Sequence, residues 1–107
     1  MKNHILVVDD EANIRKVLRA LLEQRGYAVW EAKDGIEALA LIGKQPVHTI
    51  ITDQRMPRLD GLGLLKACLE KYPDIPVIII TAHENVETAV RSYDIFLRDR
   101  AGCYIAD

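Results

Sequence analysis

Three short stretches carry residue types that could do chemistry: Asp9-Asp10-Glu11, Asp53 and Thr81. Each closes an apolar run. If the fold sets those runs side by side, the residues meet in one pocket. Converging carboxylates repel one another, and left alone one or more would take up a proton. A divalent cation removes that conflict. Hard oxygen donors with no His or Cys among them suit Mg²⁺, which favours octahedral coordination and keeps some of its waters. A carboxylate beside Mg²⁺ can attack phosphorus and form an aspartyl-phosphate, while the cation screens the incoming phosphoryl oxygens. A hydroxyl such as that of Thr81 can then hydrogen-bond the new phosphate and turn chemistry into motion. The competing structural reading makes one of Asp9 and Asp10 the N-cap of the following helix.

Such a pocket needs strands whose carboxyl ends are adjacent. Residues 4–8 (HILVV), 28–32 (AVWEA), 47–52 (VHTIIT) and 76–81 (PVIIIT) are short apolar runs rich in β-branched residues, as parallel strands buried on both faces should be. Between them lie helical periodicities. Ile14, Val17, Leu18, Leu21 and Leu22 form an amphipathic stripe that ends near Gly26. Asp34-Gly35 opens a second helix with Ile36, Leu39 and Ile42 on one face, and residues 61–72 form a third built on Leu62, Leu65 and Leu69. A fourth is expected over about 84–97, and residues 101–106 (AGCYIA) as a fifth strand. Strict alternation of strand and helix implies crossovers, hence a parallel sheet with helices on both faces. Ligands of such sheets bind beyond the carboxyl ends of the strands.

Composition narrows the classes. The 107 residues make one small domain over residues 1–107, and half of them are apolar, enough for a core without disulfides or a metal staple. A net charge of -2 argues against a nucleic-acid module, which needs a clustered basic face. No apolar run approaches a membrane span, and the start has no signal-peptide layout. Cys68 and Cys103 stand in no metal-ligand spacing, so a cytoplasmic protein with reduced thiols is expected. His83 and Glu87 stand four apart, which suits a solvated helix face better than a two-ligand metal site. Trp30 reads as a packing residue. Glu70, Lys71, Arg98, Asp99 and Arg100 read as solvated surface.

Val7-Val8-Asp9-Asp10-Glu11, the run from Thr52 to Gly61 (TDQRMPRLDG) and Ile79-Ile80-Thr81-Ala82-His83 together resemble the three signature blocks of response-regulator receiver domains of two-component systems. Their order and separations match from residue 1 to about 92, with a divergent tail over 93–107. The blocks most resemble receivers of NtrC-type transcriptional activators. The resemblance implies a flavodoxin-like, doubly wound, five-stranded parallel sheet. It makes Asp53 the phosphoacceptor, Asp10 a direct Mg²⁺ ligand and Asp9 a ligand through water. The backbone carbonyl of Arg55 becomes the remaining protein ligand and Thr81 the switch hydroxyl. Pro57 and Gly61 shape the loop after the acceptor, and Gly61 holds a position that no larger residue would fit. The implied phosphoryl donor is a phosphohistidine on a sensor histidine kinase.

The tail departs from the family. Receivers carry a Lys just after the fifth strand, and here no Lys follows Lys71. One alignment places Tyr104 at the aromatic switch position and Asp107 where the Lys belongs. It needs about four extra residues after Thr81, roughly one helical turn. Counting without an insertion puts Cys103 at the Lys position instead. The fifth helix of the family is expected to be absent. The resemblance therefore also admits a degenerate receiver that binds partners without phosphorylation. A Mg²⁺-dependent phosphohydrolase is disfavoured, because its second acid, two residues after the nucleophile, is here Arg55. Apolar surface left bare by a missing helix implies a homodimer, swapped through the segment after about Ser92. Size-exclusion chromatography with light scattering is expected to give twice the chain mass; a clean monomer removes the dimer.

Overall fold

The computed structural model describes residues 3–80 and 103–106. Strands β1 (His4–Val8), β2 (Ala28–Ala32), β3 (Thr49–Asp53) and β4 (Val77–Ile80) alternate with helices α1 (Ala12–Gln24), α2 (Gly35–Ile42) and α3 (Gly61–Lys71). A further strand, β5 (Cys103–Ala106), joins the same sheet. The order is β2-β1-β3-β4-β5 and every pairing is parallel. This is the flavodoxin-like arrangement, whose strand order reverses between β1 and β3 and opens a crevice there. The helix expected over 84–97, with His83, Glu87 and the 98–100 charges, lies outside the described residues.

Each strand sends alternate side chains to opposite faces. Ile5, Val7, Val29, Ile51, Ile78 and Ile80 pack with Leu18 and Leu22 of α1. Leu6, Val8, Ile50, Val77 and Ile79 pack on the other face with Ala38 and Ile42 of α2 and Leu64 and Cys68 of α3. β3 and β4 are buried along their whole length, which explains their unbroken apolar runs. Burial also pushes the Cys68 thiol above its usual range and leaves it a packing residue.

Local sequence sets the helix ends. Gly26 has φ +91°, and the Tyr27 and Gly26 amides donate to the Leu22 and Glu23 carbonyls, closing α1 in a Schellman motif. Asp34 caps α2 by accepting from the Glu37 amide, and Asp60 caps α3 by accepting from the Gly63 amide, both at 2.8 Å. The N-cap of α1 is Glu11, which makes no side-chain cap, so neither Asp9 nor Asp10 has the capping role that the structural reading offered.

The expected inner faces of α2 and α3 are met in part: Ile42 is buried and Leu39 and Leu65 pack against the core. Ile36, Leu62 and Leu69 are exposed by 44%, 50% and 58%, while Ala38, Leu64 and Cys68 are buried. Ala38 and Cys68 are small enough for these helices to lie close to the sheet, and the two ends of the leucine stripe, Leu62 and Leu69, turn outward. Trp30 does pack: its indole N–H donates to the Pro46 carbonyl at 3.1 Å and its ring stacks on His4, which stacks in turn on His48. Leu64→Ala is expected to cost about 2–5 kcal/mol by urea unfolding. Leu69→Ala should stay within about 0.5 kcal/mol of the unaltered protein. The reverse ranking would restore the leucine face as the inner one.

Candidate metal centre

β1 and β3 are neighbours, paired from Ile5↔Thr49 to Val8↔Thr52. Residue 9 therefore emerges beside residue 53 at the mouth of the crevice. The Asp9 amide extends the ladder by donating to the Ala32 carbonyl at 3.1 Å, and the Gln54 amide donates to the Ile80 carbonyl at 3.0 Å. The backbones carrying both acids are thus held by sheet hydrogen bonds. Asp53 is the last residue of β3 rather than the first of a loop. Asp9 and Asp53 are each 3% exposed, and Asp10 faces solvent. One carboxylate oxygen from each of Asp9, Asp10 and Asp53 lies within 4.8 Å of the others.

That donor set fits a hard divalent cation. It is all oxygen, two of its members are buried, and the third faces water that can complete an octahedron. The Asp9 carboxylate also accepts from the Glu11 amide at 2.8 Å, which fixes its rotamer. Arg15 donates to the Asp9 carbonyl at 2.6 Å and pairs with Glu31 of β2 at 3.3 Å, so it braces the peptide between the two acids. Helical periodicity gives no signal for Arg15, because its work lies across the fold.

The loop after Asp53 is closed on itself. The Gly61 amide donates to the Gln54 carbonyl, the Leu62 amide to the Gln54 side-chain oxygen, and the Gln54 side-chain amide to Asp60. A Cβ at Gly61 would lie 2.7 Å from the Asp53 carbonyl oxygen and 3.0 Å from the Gln54 Cα. Only glycine lets α3 start this close to Asp53, as the family resemblance implied for Gly61. Arg55 lies in this loop with its side chain exposed. Thr81 follows Ile80, the register partner of Asp53, and lies outside the described residues. Tyr104 sits on β5 opposite Ile78. Ala106 is opposite Ile80, so the next residue in sequence is Asp107, whereas Cys103 pairs with Val77 at the other end of β4.

A five-stranded parallel sheet with an acidic crevice at its switch point defines a class. The profile of the response regulator receiver domain matches residues 5–99, and the chain belongs to that family. It is 42% identical over 94 residues to a probable transcriptional regulator, ycf27, of Cyanidium caldarium, covering 88% of this chain and 37% of the relative. It is 39% identical over 89 residues to the DNA-binding transcriptional regulator NtrC of Salmonella typhimurium, covering 83% and 19%. The chain thus spans roughly a fifth to two fifths of these relatives. Among solved structures, the response regulator TrrA of Thermotoga maritima, in complex with Mg²⁺-BeF, aligns with TM-score 0.76 and 33% identity over all of this chain and 87% of that one. NtrX of Brucella abortus in complex with ATP aligns with TM-score 0.74 and 36% identity over 98% and 23%. No described helix is long and apolar enough to cross a membrane.

Gly61→Ala forces the helix start away from the Asp53–Gln54 backbone. Its unfolding free energy should fall by about 1–3 kcal/mol, measured by urea titration, despite alanine's better helix propensity. Unchanged stability would mean that the contact relaxes freely.

Proposed function

We propose that this receiver domain takes up a phosphoryl group on Asp53, in a Mg²⁺-dependent transfer from the phosphohistidine of a sensor histidine kinase. The convergence of Asp9, Asp10 and Asp53 within 4.8 Å carries the reading. Asp10, Asp9 through water, Asp53 and the Arg55 carbonyl are the groups that would hold the cation. When bound, Mg²⁺ neutralises the clustered charge and draws the phosphoryl oxygens toward the acceptor. A carboxylate oxygen of Asp53 forms the new bond to phosphorus as the P–N bond to the donor imidazole breaks, and the imidazole leaves with the electron pair. Asp9, held by the Glu11 amide, and the Arg15-braced peptide keep the acids in place without reorganisation.

Thr81 and Tyr104 are the residues that would read the new phosphate and pass the change onward. Asp107 follows β5 where the family has its Lys, so the cationic side of the pocket is weakened. The adduct should form more slowly than in receivers that keep the Lys, and transmission should be poorer. The setting proposed is cytoplasmic, with the kinase as partner and a second copy of this chain as the candidate dimer mate.

Incubation with a small-molecule acyl-phosphate and Mg²⁺, followed by intact-mass measurement, tests the reading. One phosphoryl adduct is expected on the unaltered protein, and none on Asp53→Asn or in EDTA. No adduct on the unaltered protein returns the domain to a non-phosphorylated binding module. Rapid donor consumption without adduct points to a hydrolase.

A further inference from the structure

The loop that follows the acceptor is strained at one residue. Arg58 has φ 72°, the one positive φ at a non-glycine among the described residues. The Leu59 amide donates to the Pro57 carbonyl at 2.8 Å across it, closing a three-residue γ-turn. Left-handed backbone is costly for a side chain with a Cβ, and glycine or asparagine would serve better if only the turn mattered. The reason for an arginine lies across the crevice wall. Its guanidinium Nη1 donates to Asp34 Oδ2 at 3.2 Å. Asp34 is 2% exposed, and its Oδ1 caps α2 through the Glu37 amide. Beside the pair, the Gly35 amide donates to the Leu59 carbonyl at 3.3 Å, and a Cβ at Gly35 would meet that same oxygen at 2.8 Å. The turn is therefore fastened to the start of α2 by an ion pair and a backbone hydrogen bond, with no room between them.

We propose that Arg58 is a positioning residue: its ion pair with Asp34 latches the 54–60 loop to α2 and so sets where the Arg55 carbonyl stands relative to Asp9, Asp10 and Asp53. The proposal rests on the metal reading above and adds to it. The carboxylates are placed by the sheet, but a carbonyl on a loop is only as well placed as the loop. Between Asp53 and Asp60 the chain has no ladder of its own. The Gln54 side chain ties the two ends of the loop together, and the Arg58 latch secures its far side. A change at the loop would travel along the same connection to α2.

The test uses Arg58→Gly, Arg58→Lys, Asp34→Asn and the Arg58→Gly/Asp34→Asn double variant. Glycine removes the latch while favouring the turn, so it should fold at least as well as the unaltered protein. Asparagine keeps the cap on α2 and removes only the charge. In EDTA, hydrogen exchange at the Leu59 amide should speed up about three- to tenfold in Arg58→Gly and Asp34→Asn. Mg²⁺ affinity by calorimetry should fall by a similar factor, roughly threefold or more. Lysine should restore part of both, and the double variant should be no worse than either single one. Unchanged exchange and affinity in Arg58→Gly, with Mg²⁺ still bound by the unaltered protein, overturn the latch alone. Additive effects in the double variant also overturn it. Failure of the unaltered protein to bind Mg²⁺ overturns the latch together with the metal reading.

Discussion

Three carboxylates brought within 4.8 Å of one another repel, and the rest of this domain can be understood as what keeps them there. Two sit on neighbouring parallel strands whose register is fixed by burial on both faces, so neither can slide without moving its apolar residues out of the core. The third follows directly in the chain. Because the strands are locked, the repulsion cannot relax by separation. The Glu11 amide offsets part of it at Asp9, and a bound cation would lower the rest. The cost is tolerated because the two apolar layers hold the sheet with far more buried surface than the acids occupy.

Support around the acids comes in two grades. The sheet hydrogen bonds of Asp9 and Gln54 and the Arg15 brace belong to rigid elements. The 54–60 loop is secured by side chains, Gln54 to Asp60 and Arg58 to Asp34, together with isolated backbone bonds from the Gly35 and Gly61 amides. A receiver needs both, because chemistry demands fixed acceptor geometry and signalling demands something that can shift. In relatives that are several times longer than this chain, whatever shifts has further protein to act on.

Much of this was readable in the residues. Parallel strands buried on both faces leave unbroken apolar runs with the acids at their ends, so a parallel sheet follows from pattern, while the strand order that brings the acids together came from the family resemblance and is seen in the fold. Gly26 and Asp34 marked helix ends by their chemistry. What misled was periodicity where two stripes compete. Leu62, Leu65 and Leu69 make as good a helical face as Leu64 and Cys68, and packing against the sheet buries the second, half-buries Leu65 and leaves Leu62 and Leu69 outside. The Arg58–Asp34 and Arg15–Asp9 contacts were invisible because they join residues through tertiary folding, with no spacing rule to reveal them. The helix at 84–97, Thr81 and the Asp107 position remain readings from the sequence.

Trp30 is the single tryptophan of the chain, and the fold has placed it away from the acids. It is tied to Pro46 and stacked on His4, toward the amino end of β1, whereas the carboxylates gather at the carboxyl end. The molecule's natural fluorophore therefore faces a histidine pair through a stack of rings, although its own strand position, opposite Leu6, is midway along β1. Trp30 nonetheless packs on the same apolar layer as Met56 and Leu59 of the loop after Asp53, so its emission reads that layer rather than the carboxylates directly.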